Sequence, residues 1–186
     1  MTGITPEEYL ERDRAAEFKS EYLCGRIYSM AGTSYRHWII VGNLIGELMQ
    51  AFKGTRCTAG GDLRVRIADD HYVYPDIVVV CDDAKLADDH KDTLLNPRLV
   101  IEVLSKSTEA YDRGYKAAQY RHLESLNEYV FVSQNEPHVE IFRRRPEGWI
   151  LTGQSGLDGV CRLESIERDL RLSDIYEKVT FEEVTP

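Results

Sequence analysis

The sequence predicts a mixed α/β fold of the α+β kind, a central mixed sheet flanked by helices. Three observations predict it. Residues 34–53 place Trp38, Val41, Leu44, Ile45, Leu48 and Phe52 at helical spacing. Apolar runs ending near Ile67, Val80 and Leu104 carry the β-branched residues that strands favour. A second helical stretch, 112–123, then separates those runs from further strand-like segments.

Taken in order, residues 5–19 read as a helix. Thr5 can cap it, Pro6 suits the first turn, and Glu7 and Glu8 suit its positive end. Tyr22 to Met30 alternates around Cys24-Gly25, which predicts a short hairpin. Ser34 is placed to cap the long helix and Gly54 to end it. Leu63, Val65 and Ile67 alternate with Arg64 and Arg66, as in a strand with one wet face. Tyr72 to Cys81 is nearly continuous in β-formers, interrupted by Pro75 and Asp76. A polar loop over 82–97 leads to the run Arg98 to Leu104, interrupted by Glu102. The helix over 112–123 is expected to turn Tyr115 and Ala118 inward. Strands follow over 128–132, 139–143 and 149–152, with a turn at Pro146-Glu147-Gly148, and a short helix over 172–176.

At 186 residues and 42% hydrophobic, the chain has enough apolar content for one core, so a single domain over 1–186 is expected. No apolar run reaches the roughly 18–20 residues of a membrane span. The polar, acidic N-terminus lacks the marks of a signal or transit peptide, so a cytoplasmic protein without a membrane partner is expected. Cys24, Cys57, Cys81 and Cys161 form no CxxC pair; they read as free core thiols rather than disulfides or zinc ligands. The net charge of −9 argues against coating nucleic acid by bulk electrostatics, while leaving room for a locally basic face.

Two carboxylates, Asp76 and Glu102, interrupt the two most apolar strands. A carboxylate in a buried strand is costly unless a cation or hydrogen bonds compensate it. On neighbouring strands the two can make an oxygen-rich site for Mg²⁺ or Mn²⁺, and such an ion can drive phosphodiester hydrolysis. The alternative is that each acid sits beside an arginine at a strand end. Asp112, Lys116 and Tyr120 share a helical face at spacing four, so Lys116 can point back toward the acids. Lys106, four residues past Glu102, is the other candidate lysine if the strand continues that far. A solvated pair of Lys116 with Asp112 is the bland reading.

The strings YVYPDIVVVC and NPRLVIEVLSKSTEAYDRGYKAAQYRHL resemble the Uma-type restriction-endonuclease family, within the PD-(D/E)XK nuclease superfamily. The resemblance extends to AAEFKSEYLCGRIYSMAGTSYRHWII and LNEYVFVSQNEPHVEIFRR, so it covers most of the chain. It implies a restriction-endonuclease-like αβββαβ core, to which the sequence adds a C-terminal hairpin. Pro75-Asp76 stands at the PD position and Glu102 at the acidic position of (D/E)XK. Leu104 occupies the place of the superfamily lysine, and the resemblance implies that Lys116 on the following helix takes over its role. It also marks Glu21 and His37 as accessory site residues; their ordinary readings are a surface ion pair and a structural histidine.

For substrate contact, Arg64 and Arg66 share a strand face and Arg113 flanks the Lys116 helix. The expected activity is therefore Mg²⁺- or Mn²⁺-dependent hydrolysis of DNA. The alternatives are a non-catalytic binding module of the same fold and a phosphodiesterase on a small substrate. A homodimer, common in such nuclease folds, is expected by analogy.

Overall fold

From its N-terminus the chain forms α1 (Pro6–Ala15), the hairpin β1 (Ser20–Leu23) and β2 (Arg26–Ser29), and the long helix α2 (Tyr35–Ala51). Strands β3 (Cys57–Gly60), β4 (Arg64–Ala68), β5 (His71–Val73), β6 (Ile77–Cys81), β7 (Thr93–Leu94) and β8 (Leu99–Leu104) follow. A helix over residues 109–120 leads into β9 (Glu128–Ser133), β10 (His138–Arg145) and β11 (Gly148–Ser155). The chain closes with β12 (Val160–Leu163), β13 (Arg168–Arg171) and the helical turn Leu172–Ile175. These assignments come from a computed structural model that describes residues 3–30, 32–105 and 108–181.

The larger sheet has the order β11-β10-β9-β8-β6-β3. Its β8–β9 pair is parallel, and the β3–β6 and β6–β8 pairs are antiparallel. Helix α2, strands β3, β6 and β8, the 109–120 helix and β9 therefore reproduce the expected αβββαβ order. The first of the three strands differs from the expected one. It is Cys57–Gly60, whereas the alternating Arg64–Ala68 segment belongs to a second sheet of order β2-β1-β5-β4-β7. The run over 72–81 also divides between the sheets, with Tyr74, Pro75 and Asp76 forming the crossing. Pro75 has no N–H to give a ladder, so pairing stops there.

Side-chain parity then separates the two faces of the large sheet. Ile77, Val79, Leu99, Ile101, Val103, Val130 and Val132 meet Ile40, Leu44, Leu48 and Phe52 of α2. Val78, Val80, Val100, Leu104, Tyr129 and Phe131 face the other way, onto Val65, Val73, Ala117 and Tyr120. Helix α2 starts as expected, with Ser34 Oγ accepting the His37 N–H at 3.2 Å. Gly54, at φ +75°, follows it in the left-handed region where glycine is favoured. Trp38, expected inside, sits in the first turn at 62% exposure and stacks on Tyr35 instead.

Helix α1 starts with a capping box in which Thr5 and Glu8 satisfy each other's backbone N–H groups. It is tied to the second sheet by a buried polar network. The Arg64 guanidinium lies 2.8 Å from Asp13 Oδ2 and donates to Thr93 Oγ1 and Tyr74 OH. Tyr74 OH donates to the same Asp13 oxygen at 2.7 Å, and Arg14 holds Asp88 and Asp92 of the 82–97 loop. Arg64, expected to contact substrate, is thus a buried structural residue. The cysteine expectation also needs correction. Cys57 and Cys81 stand directly opposite in β3 and β6 and are joined by a disulfide. Their separation of 24 residues gives no spacing signature, because strand register alone brings them together. No helix among the described residues is long and apolar enough to cross a membrane.

Burial works against the charge of Asp13, but hydrogen bonds from Tyr74, Arg64 and Ser20 outweigh it and hold the carboxyl below its usual range. A carboxyl depressed in the folded state stabilises the fold fully above its unfolded pKa of about 3.9 and loses that contribution as pH falls through the folded value. Urea unfolding is predicted to show this loss below about pH 4 in the wild type and a weaker acid dependence in Asp13→Asn. Arg64→Met is predicted to cost about 3–5 kcal/mol at neutral pH, because it strands a buried carboxylate. A change below about 1 kcal/mol would mean the pair behaves like an exposed one.

Candidate active site

Glu102 is the one carboxylate within β8, and its even number puts it on the face of Val100 and Leu104, toward the 109–120 helix. Asp76 immediately precedes β6. The two acids are locked by a reciprocal pair of backbone bonds: Asp76 N–H donates to Glu102 Oε2 at 3.3 Å, and Val103 N–H donates to Asp76 Oδ2 at 2.7 Å. His37 Nε2 lies 3.1 Å from the same Asp76 oxygen, while its Nδ1 is 2.8 Å from Thr33 Oγ1.

The lysine reaches these acids through an irregularity in its helix. Glu109–Tyr111 and Ala117–Tyr120 are α-helical, but Asp112–Lys116 forms a π turn, with the Ala117 N–H bonded back to the Asp112 carbonyl. The wider turn inserts an extra residue, so the inward face passes from Lys116 and Ala117 to Tyr120, and Tyr115 is turned out to 43% exposure. Tyr115, expected inward, thus yields its place to Lys116, and Ala117 rather than Ala118 is fully buried. The π turn also brings Asp112 and Lys116 inward together, both about 95% buried.

Lys116 Nζ lies 2.7 Å from Glu102 Oε1, 3.0 Å from Glu21 Oε1 and 3.7 Å from Asp112 Oδ1. Glu21 is itself fixed by the Tyr74 N–H at 3.1 Å and by the Tyr111 hydroxyl at 3.4 Å. Three carboxylates, Glu21, Glu102 and Asp112, thus surround one ammonium, and Asp76 joins them through its backbone bond to Glu102. Burial pushes the Glu102 carboxyl up; Lys116 opposes that push, and Asp76 and Asp112 add to it. Burial likewise raises Asp112 against the pull of Lys116. Burial also disfavours the Lys116 ammonium, but the attraction of Glu102 and Glu21 prevails and holds it well above the usual lysine range.

This excess of buried negative charge is what a hard divalent cation would balance. Glu102 Oε1 has Lys116 as an ionic neighbour but no partner in hydrogen-bond geometry, so one donor oxygen is free of directed bonds. Asp76 and Glu102 accordingly fit a Mg²⁺- or Mn²⁺-class ion by donor chemistry. The residues line a cavity of about 1180 Å³ that also takes in Cys24, Arg26, Thr108, Tyr115 and Gln134.

Of the residues expected at the site, the structure brings together Asp76, Glu102, Lys116, Glu21 and His37. Lys106 lies outside the described residues. The three expected substrate arginines are elsewhere. Arg64 is buried against Asp13. Arg66 lies opposite Tyr72 in the second sheet and does not line the cavity. Arg113 pairs with Glu109 and Glu140 and packs over Phe131. Arg26, at the hairpin, is the arginine that does line the cavity. Tyr111 was not anticipated; it sits five residues before Lys116, a spacing that shares a face only in a π turn.

The fold and this cluster define a restriction-endonuclease-like protein. Residues 6–173 match the profile of the Uma2 family, described as "Putative restriction endonuclease", and the chain belongs to that family. It is 34% identical over 183 residues to the uncharacterized protein slr1290 of Synechocystis sp., covering 96% of this chain and 94% of that one. A second Synechocystis protein, the uncharacterized sll1609, is 34% identical over 157 residues, 82% of this chain and 88% of the other. Among solved structures, a "putative nuclease" of Anabaena variabilis shares the fold at a TM-score of 0.77 and 19% identity, over 93% of this chain and 97% of its own.

Asp76 is also held from behind. A Cβ on Gly61 would lie 2.6 Å from the Asp76 carbonyl oxygen, whereas one on Gly46 of α2 would meet nothing within 4 Å. Gly61→Ala is predicted to lower stability by about 1–3 kcal/mol by forcing the backbone apart. Gly46→Ala is predicted to raise it by about 0.5–1 kcal/mol, as expected in a helix interior. Urea midpoints of the two variants check both signs.

Proposed function

We propose that this protein is a metal-dependent endonuclease that hydrolyses DNA phosphodiester bonds. One observation carries the reading: the Lys116 ammonium lies 2.7 Å from Glu102, in the cavity that Asp76 also lines, although the superfamily's lysine position holds Leu104.

In this reading Asp76 and Glu102 hold Mg²⁺ or Mn²⁺, which when bound would polarise the phosphodiester and lower the pKa of a water. Lys116 supplies a fixed positive charge for the phosphate oxygen on which charge develops. Glu21 and Asp112 keep that ammonium charged and oriented, and the Tyr111 hydroxyl and Tyr74 N–H hold Glu21 in place. His37 orients Asp76. Arg26 takes the flanking-phosphate role expected of Arg64 and Arg113, which are committed to other ion pairs. A locally placed arginine is needed because the net charge of −9 repels the backbone at long range.

The test is cleavage of supercoiled, linear and single-stranded DNA with Mg²⁺ or Mn²⁺. Asp76→Ala and Glu102→Gln are predicted to abolish cleavage while retaining the native circular dichroism. Lys116→Met is predicted to reduce the single-turnover rate by about 10²–10³-fold, the usual cost of removing one group that stabilises transition-state charge. Failure of the wild type to cut any of these DNAs would overturn the assignment. Turnover of a chromogenic phosphodiester without DNA cleavage would reassign the site to small substrates.

A further inference from the structure

Away from the carboxylate pair, the β1–β2 turn meets the β4–β5 turn. Leu23 pairs with His71 across β1 and β5, and the Cys24 N–H donates to the Asp70 carbonyl at 3.0 Å. The register therefore fixes Cys24, Asp70 and His71 side by side. Cys24 Sγ lies 3.6 Å from His71 Nε2, and His71 Nδ1 lies 2.5 Å from Asp70 Oδ1. His71 is buried, whereas Cys24 is exposed and lines the cavity.

We propose that Cys24 and His71, oriented by Asp70, form a second cation site at the cavity rim, suited to Zn²⁺ and similar borderline-soft ions. A tetrahedral zinc with bonds of about 2.3 Å to sulfur and 2.0–2.1 Å to nitrogen separates the two ligand atoms by about 3.6 Å. The observed separation of 3.6 Å matches it. Asp70 accepts the Nδ1–H, which directs the Nε2 lone pair toward the sulfur, as in carboxylate–histidine–zinc triads. One ligand atom from each of the three residues falls within 4.8 Å of the others. The Tyr115 hydroxyl lies 2.6 Å from Nε2, and its half-exposed ring stacks on His71 and Tyr111, so an ion at Nε2 takes the place of this hydroxyl contact. A thiolate and an imidazole select against Mg²⁺, so the two sites divide cations by softness. Cys24 lines the cavity, so an ion there would add positive charge beside Glu21, Asp76, Glu102 and Asp112.

Cobalt(II) titration of the full chain, in excess Mg²⁺, tests this through the thiolate-to-cobalt charge-transfer band. Cys57 and Cys81 are paired and Cys161 is buried, so Cys24 is the exposed free thiol among the described residues. The expected result is a band that saturates at one equivalent, is bleached by Zn²⁺ and persists in Asp76→Asn. It is expected to vanish in Cys24→Ser and to require about 10–100-fold more cobalt in Asp70→Asn, an exposed position whose substitution leaves the core intact. A wild type without the band overturns the proposal. So does a band that survives Cys24→Ser, or one that is indifferent to both Asp70→Asn and His71→Asn.

Discussion

The structure depends on keeping one buried ammonium charged. Lys116 is almost wholly removed from water, and an unpaired ammonium there would carry a desolvation cost of several kcal/mol. Glu102 at 2.7 Å and Glu21 at 3.0 Å are what permit it. The same contacts serve the carboxylates, which would otherwise crowd like charge in a low-dielectric wall. Neither partner can be removed alone without stranding the other, so the cluster constrains every element that supplies a member: β1, the β5–β6 crossing, β8 and the 109–120 helix.

Two of those elements depart from regularity where they meet the cluster. The strand run breaks at Pro75 so that Asp76 stands at the edge of β6 beside the Glu102 carboxylate. The helix widens into a π turn over Asp112–Lys116, which turns two ionisable side chains inward together. π turns commonly mark functional sites, and here the gain is direct. It moves a lysine to acids that no residue two positions past Glu102 can serve, since Leu104 fills that place in the core. Gly61 makes room for the Asp76 carbonyl from the opposite side.

Much of this was legible in the chain, for reasons that differ by element. The cap of α2, its ending near Gly54 and the acids Asp76 and Glu102 follow from local rules of turn chemistry and of charge within apolar runs. The αβββαβ order was legible through family resemblance. The identity of the first strand was not, because Cys57-Thr58-Ala59-Gly60 carries little alternation while Leu63 to Ile67 carries a clear one. That clearer pattern belongs to the second sheet, where Arg64 meets α1 as a buried partner of Asp13. Exposure of Arg64 and Arg66 was inferred from alternation, and alternation cannot reveal what packs on the polar side. The disulfide was hidden because register, not spacing, brings Cys57 to Cys81. Tyr115 and Ala118 were misplaced because a helix of period 3.6 cannot anticipate a π turn. Lys116 was nonetheless found, since a spacing of four from Asp112 survives in the wider turn.

The proposed function requires Asp76, Glu102 and Lys116 to act as one cation-binding, phosphate-facing unit. Crystals soaked in Mn²⁺ and measured at the manganese absorption edge test it most directly. The proposed function predicts an anomalous peak held by carboxylate oxygens of both Asp76 and Glu102, with the Lys116 amine still bordering the same cavity. An anomalous map with no peak at these two carboxylates, or a peak bound with Lys116 withdrawn from the cavity, would contradict it.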